Sequence, residues 1–188
     1  MPLIHAKLLE EIMQNFDCLY DASYFGDSLY GTHKVEKKLS YSVIKNGIIL
    51  PGREVNMPGW VMGGGVLTSD RTYIKNTHLS YSSGTDYCFS DAELSFSKET
   101  VVYIGMFYGV WGHCITDEIR RMWFLNSADF KTKFKNCKIV YISYPNYSFK
   151  KNFIKLLKII GIDYKSFVPV EKITRFSEII IPDESLFL

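Results

Sequence analysis

The chain contains no apolar run near the ~20 residues that a membrane helix needs. Its start, Met1 to Lys7, lacks the basic head and apolar stretch of a secretion signal, and Glu10 and Glu11 follow soon after. These absences argue against a membrane span and an export signal. The expected location is the cytoplasm, with peripheral attachment to the inner face of a membrane as the open variant. Charge of one sign is also missing, since 22 basic and 20 acidic side chains leave +2 overall. A nucleic-acid partner would demand a basic stripe, so none is expected.

Cysteine and histidine are scarce, with four of each. Cys18, Cys88, Cys114 and Cys137 form no CxxC pair, which excludes the usual zinc and redox motifs and suggests free thiols in a reducing compartment. His5, His33 and His78 stand apart from one another and from acidic clusters, so no metal site is expected. The sequence also lacks internal repeats and low-complexity tracts.

What is present is core material: 47% of the 188 residues are apolar and 15% aromatic, enough for one large domain or two small ones. Leu3, Ile4, Leu8, Leu9, Ile12 and Met13 fall near helical spacing, and residues 21–33 read as loop. Short β-type runs follow at Val43-Ile44, Ile48 to Leu50 and Val61 to Leu67, separated by Asn46-Gly47, Pro51-Gly52 and Pro58-Gly59. Ser69-Asp70-Arg71 reads as a hairpin turn before Tyr73-Ile74, and residues 80–86 as a polar linker.

Beyond Thr100 the order changes. An apolar run Val101 to Phe107 leads through glycines into a helical pattern from His113 to about Ser127. A buried-type run Ile139 to Ile142, a helix from about Ser148 to Ile160 stopped by Gly161, and strands near Phe167-Val168 and Ile179 to Ile181 complete it. Strands alternating with helices predict an α/β parallel sheet with crossover helices. The expected division is a helix and strand-rich segment over 1–98 and an α/β domain over 99–188, and the two can still share one core.

Gly105, Gly109 and Gly112 lie between the Val101 strand and the next helix, where a tight turn exposes backbone amides to an anion or polar ligand. Their spacing, GxxxGxxG, differs from the dinucleotide fingerprint. At 100° per residue His113, Asp117, Arg120, Arg121 and Phe124 share one side of the helix, and Ile115, Ile119, Met122 and Trp123 the other. Strand C-terminal ends are where open α/β sheets bind ligands, which puts His113 beside that crevice. An imidazole one turn before a carboxylate suits abstraction of a hydroxyl proton, with Asp117 as orienter or as the base itself. Arg120 and Arg121 suit an acidic sugar or phosphate. The plainer alternative is a histidine cap and an Asp117–Arg121 i,i+4 pair worth ~0.2–0.5 kcal/mol.

The run Tyr103-Ile104-Gly105-Met106-Phe107-Tyr108-Gly109-Val110-Trp111-Gly112-His113-Cys114-Ile115-Thr116-Asp117-Glu118-Ile119-Arg120-Arg121-Met122-Trp123-Phe124-Leu125 resembles the hallmark segment of glycosyltransferase family 61, especially its bacterial capsular-polysaccharide members. Gly63 to Arg71 looks like the family's upstream glycine-rich hairpin, and Ile179-Ile180-Ile181-Pro182-Asp183 like the strand and turn leaving its first α/β domain. The resemblance covers about residues 60–183. It implies a Rossmann-like domain, the N-terminal, acceptor-facing half of a GT-B fold, which moves a sugar from a nucleotide-sugar to an acceptor hydroxyl without a bound metal. His113 and Asp117 would be catalytic, and Trp111, Gly112, Arg120 and Arg121 substrate-binding. The partners implied are a saccharide acceptor, a nucleotide-sugar donor in the complete enzyme, and a polysaccharide-assembly complex. Such enzymes continue into a nucleotide-binding domain, so the expectation is a fragment or a truncated, inactive relative. The alternative is a non-catalytic module that binds glycan or protein.

Trp60, Tyr73, Tyr103, Phe107, Tyr108 and Trp111 are candidates to stack on sugar rings, with core packing as the commoner role; Trp111 is the preferred cleft residue. Lys150, Lys151, Lys155 and Lys158 mark one helix face, read as solvated or as drawn to an acidic polymer or membrane surface.

Overall fold

The computed structural model describes residues 39–54, 62–75, 77–78, 88–143 and 147–185. The expected N-terminal helix, the loop at 21–33, the linker at 80–86, Trp60, His5, His33 and Cys18 lie outside them. The protein is a mixed α/β structure built on a seven-stranded sheet: β1 (Tyr41–Lys45), β2 (Ile48–Glu54), β3 (Met62–Leu67), β4 (Ser95–Phe107), β5 (Lys138–Ser143), β6 (Phe167–Pro169) and β7 (Thr174–Pro182). The strand order is β3-β2-β7-β4-β5-β6, and β1 also pairs with β7.

β7, β4, β5 and β6 run parallel, as expected, but no helix separates β6 from β7, so the expected alternation of strands and helices holds only in part. β1, β2 and β3 join antiparallel at the other side of β7. The strand-rich segment and the α/β segment therefore share one sheet, and β4 begins at Ser95, ahead of the division expected at 98/99. The turn at residues 69–71 closes as a hairpin: Ile74 N–H donates to the Val66 carbonyl at 2.9 Å, and Leu67 bridges Tyr73.

Each face of the sheet carries its own core. Val102, Ile104 and Phe107 point to the helical side, with Phe124, Phe153 and Leu157; Val101, Tyr103 and Met106 point to the other, with Ile142, Ile179 and Val66. Strict alternation along β4 would put Phe107 with Tyr103. Gly105, at φ 112°, occupies the register shift between Tyr103 and Met106 in the β4–β5 ladder and reverses the phase. Phe107 consequently stacks on Tyr141 with ring centroids 4.7 Å apart and meets Phe149 and Phe153 edge-on.

The second face is covered partly by the β2–β3 ribbon, and there the glycines of β3 are packing devices. A Cβ on Gly64 would lie 2.9 Å from Ile142 Cδ1, and one on Gly65 would meet the Tyr73 hydroxyl at 2.7 Å and Thr77 Oγ1 at 2.9 Å. Gly65 also has φ 119°, a conformation costly for any L side chain. Gly65→Ala is expected to destabilise by ~1–3 kcal/mol from overpacking and backbone strain together. Gly161→Ala, at φ 75° but in open space, should lose only ~1 kcal/mol. Urea denaturation of both variants checks the order; equal losses would mean that the ribbon yields around the added methyl.

The helical elements depart from expectation in one place. One regular helix is predicted from His113 to about Ser127. Instead α1 (Trp111–His113) runs into a π-helical turn, Cys114–Glu118, then a 3₁₀ turn, Met122–Asn126, and a second π turn, Phe130–Phe134. A π turn takes more residues per revolution and a 3₁₀ turn fewer, so a 100° wheel loses phase after Asp117. Phe124, placed by that wheel beside His113, is instead 1% exposed in the core. The second expected helix, α2 (Lys151–Ile159), ends as expected, with Gly161 in the left-handed conformation beyond it. Lys150, Lys151, Lys155 and Lys158 are exposed while Phe153 and Leu157 face the core.

Candidate active site at the ends of β4 and β7

The chain marches outward from β4 to β5 to β6 and then returns to lay β7 on the opposite side of β4. Strand order reverses between β4 and β7, and open α/β sheets leave a crevice at the carboxyl ends of such a pair. β4 ends at Phe107 and feeds the turn 108–110 into α1; β7 ends at Pro182 and feeds residues 183–185. Arg120 and Arg121 therefore meet a segment more than sixty positions further along the chain.

Across the junction of α1 and the π turn, His113 Nδ1 lies 2.7 Å from Asp117 Oδ2. With Nδ1 protonated and donating to the carboxylate, Nε2 is the basic ring nitrogen. The imidazole is 37% exposed and the carboxylate 16%, so the pair sits at the rim rather than in the core. Tyr108 flanks it, its ring centroid 5.5 Å from that of His113. Gly112 is exposed and has open space where a Cβ would stand. Trp111 is at the first position of α1, and its side chain is outside what the structure describes.

The two arginines divide. Arg120 turns back toward the dyad, with Nη2 2.8 Å from Asp117 Oδ1, and its Nη1 is 3.7 Å from Glu184 Oε2. Arg121, its side chain 6% exposed, goes inward: Nη1 donates to Glu184 Oε1 at 2.8 Å and Nε to the Pro182 carbonyl at 3.1 Å. The i,i+4 pair Asp117–Arg121 expected from helical spacing is replaced by the i,i+3 pair Asp117–Arg120, because the π turn rotates Arg121 toward β7. Both guanidinium groups are thus matched to carboxylates of the protein itself. Gly105 lies beside Arg121: a Cβ there would be in ordinary contact with Arg121 Nη1 at 3.5 Å, and it is the φ of 112° that favours glycine.

Two acidic residues outside the expected set complete the site. Glu184 bridges both arginines, and its turn is pinned by Ser185, whose N–H and hydroxyl donate to the Arg120 carbonyl at 2.9 and 2.8 Å, and by Trp123 Nε1 donating to the Asp183 carbonyl at 2.9 Å. The available signal was its position directly after a buried strand. Glu118 is 1% exposed, and its Oε1 accepts the Tyr108 and Gly109 N–H groups at 2.6 and 3.0 Å, which fixes the turn that carries α1. No sequence pattern announces a glutamate that turns back to the loop before its own helix.

Burial pushes the Glu118 carboxyl above its usual range, although the two backbone donors oppose the shift. Burial, then the neighbouring Glu118, pushes the Cys114 thiol up to about 12, so it stays a neutral, inert thiol. A carboxyl raised on folding binds more protons in the native state than in the unfolded one. Its contribution to stability is full below the unfolded value, near 4.5, and is lost as pH rises through the higher native value. Glu118→Gln keeps an oxygen for both amides and removes that loss. Urea melts at pH 5 and pH 8 should show the variant gaining on the parent at the higher pH; an unchanged difference would mean that Glu118 titrates normally.

Among the described residues no group of three or more histidine, cysteine, aspartate or glutamate side chains could hold a metal, and no helix is long and apolar enough to cross a membrane. Of the sequence-derived candidates the structure brings together His113, Asp117 and Arg120. Tyr103 is fully buried on the opposite face, its hydroxyl bonded to the Thr77 carbonyl, and Phe107 is a core ring. Comparison with known proteins found no matching family model, no matching curated protein and no matching solved structure.

Proposed function

We propose that this chain is a family 61-like glycosyltransferase segment, the acceptor-side, Rossmann-like half of a GT-B enzyme acting in surface or capsular polysaccharide assembly. The observation that carries the reading is the His113–Asp117 pair, 2.7 Å apart at the strand-order reversal. In the reaction, His113 Nε2 takes the proton of the acceptor hydroxyl as its oxygen bonds to the anomeric carbon of the donor sugar. The bond from that carbon to the nucleoside diphosphate breaks, and the diphosphate leaves with the electron pair. Asp117 holds the tautomer and stabilises the imidazolium. Because Arg120 and Arg121 already face Glu184 and Asp117, the proposed acceptor presents a neutral hydroxyl, and the diphosphate is held elsewhere. No metal is assigned, and the proposed location is cytoplasmic or peripheral to the membrane's inner face.

The same arginine pairing supports a second reading, a non-catalytic module that binds glycan or a partner protein. Calorimetric titration of this chain with nucleotide-sugars tests the second reading, which micromolar binding contradicts. A transfer assay of His113 and Asp117 variants in the complete enzyme tests the first reading directly; near-normal turnover by both ends it.

A further inference from the structure

We infer that the outer surface of the helical layer is a docking face for an anionic membrane, one that gives the peripheral location proposed above its contact surface and is independent of the transferase reading. The near-balance of the whole chain conceals it. Residues 129–165 carry nine lysines, no arginine and two acidic residues, Asp129 and Asp163, a net +7, while the rest of the chain carries −5. All nine lysines are exposed. Lys133 pairs with Asp129 and Lys138 with Glu99, and no carboxylate of the described residues pairs with the other seven.

The fold brings these charges to one side. Phe130 and Phe134 of the second π turn, Phe153 and Leu157 of α2, and Tyr164 just before β6 all pack on the core of the helical face. Lys131, Lys133 and Lys135 stand outward from the first of these elements, Lys151, Lys155 and Lys158 from the second, and Lys165 from the third. Asn126 Nδ2 donates to the Ile160 carbonyl at 3.1 Å and ties the segment before the π turn to the end of α2. At the start of α2, Lys150 Cε lies 3.6 Å from where a Cβ on Gly109 would stand, so the face reaches the turn before α1. Lysines spread over several elements match a diffuse layer of negative charge rather than a single anion. Ile159, 60% exposed beside Lys158, adds an apolar side chain for the headgroup layer. A nucleic acid or an acidic glycan fits less well. Such polymers are held by stacking and by arginine, and here Phe130, Phe134, Phe149, Phe153 and Tyr164 are packed against the core.

The test is sedimentation of the full chain with vesicles of phosphatidylcholine alone and of equal parts phosphatidylcholine and phosphatidylglycerol. Binding is expected to the anionic vesicles only, and should weaken steeply between ~0.01 M and ~0.15 M salt as the Debye length shrinks from ~30 to ~8 Å. Each lysine near such a surface contributes a factor of ~5. Lys150→Gln, Lys151→Gln, Lys155→Gln and Lys158→Gln combined should therefore weaken binding by ~10²-fold or more. The same change at Lys45, Lys75, Lys98 and Lys172, exposed lysines outside this stretch, removes equal charge and should cost only a few-fold. All eight side chains are exposed, so circular dichroism should show both variants folded like the parent. A parent that ignores anionic vesicles at low salt overturns the proposal, and so do equal losses in the two variants, which would show that net charge alone attracts the chain. Tighter binding of the parent to polyuridylate or polygalacturonate than to anionic vesicles at equal charge would assign the face to a polymer and overturn it too. Each of these outcomes leaves the reading of His113 and Asp117 untouched.

Discussion

In the complete enzyme His113→Ala is expected to lower sugar transfer by ~10²–10⁴-fold, the usual worth of a positioned general base, with no change in thermal stability. The imidazole is 37% exposed at the rim beside Tyr108, so truncating it opens no core cavity. Asp117→Asn should cost a similar factor by a different route. An amide in place of Oδ2 either presents N–H to Nδ1, which turns the ring to the wrong tautomer, or accepts without the charge that stabilises the imidazolium. A loss confined to kcat, with KM for the acceptor kept, is the expected signature, because the proton moves only in the transition state. Turnover within a few-fold of the parent for both variants would show that the pair is a rim salt bridge and that the base lies elsewhere.

The largest expected loss of stability follows Arg121→Met. The methionine fills the aliphatic volume but leaves the Glu184 carboxylate and the Pro182 carbonyl without their guanidinium donors. Removing one member of a buried ion pair costs ~3–5 kcal/mol, and because Glu184 is 23% exposed, water recovers part of that, which points to about 3 kcal/mol. For a domain of this size that is a fall of roughly 10 °C in Tm. Arg120→Met, with the side chain 22% exposed, should cost less than about 1 kcal/mol, so the two adjacent arginines differ sharply. Thermal unfolding monitored by circular dichroism settles the comparison. Equal, small losses in both would show that the inward ion pair adds nothing to the fold.

The α/β class, the apolar centres of the strands from Val43 to Ile181 and the stop of α2 at Gly161 could be read from apolar runs and breakers, whereas Pro51-Gly52, read as a separator, lies inside β2, and β4 and β7 begin earlier, at Ser95 and Thr174. Those signals are local. The pairing of β1 and β2 with β7 was not legible, because partners more than 120 residues apart leave no mark in either strand's own pattern. Phe124 shows the same limit at shorter range. Its place on a regular wheel depended on an unbroken 3.6-residue period, and burying Glu118 under the Tyr108–Gly109 turn goes with a wider helical turn.

At the candidate site the sequence by itself placed His113 and Asp117 together, since residues four apart on an α-helical turn face nearly the same way. Only the tertiary structure decided what the neighbouring arginines do. Their partner, Glu184, is brought over them by the parallel pairing of β7 with β4, and a carboxylate placed within 3 Å of a buried guanidinium holds that charge more tightly than its own helical neighbours can.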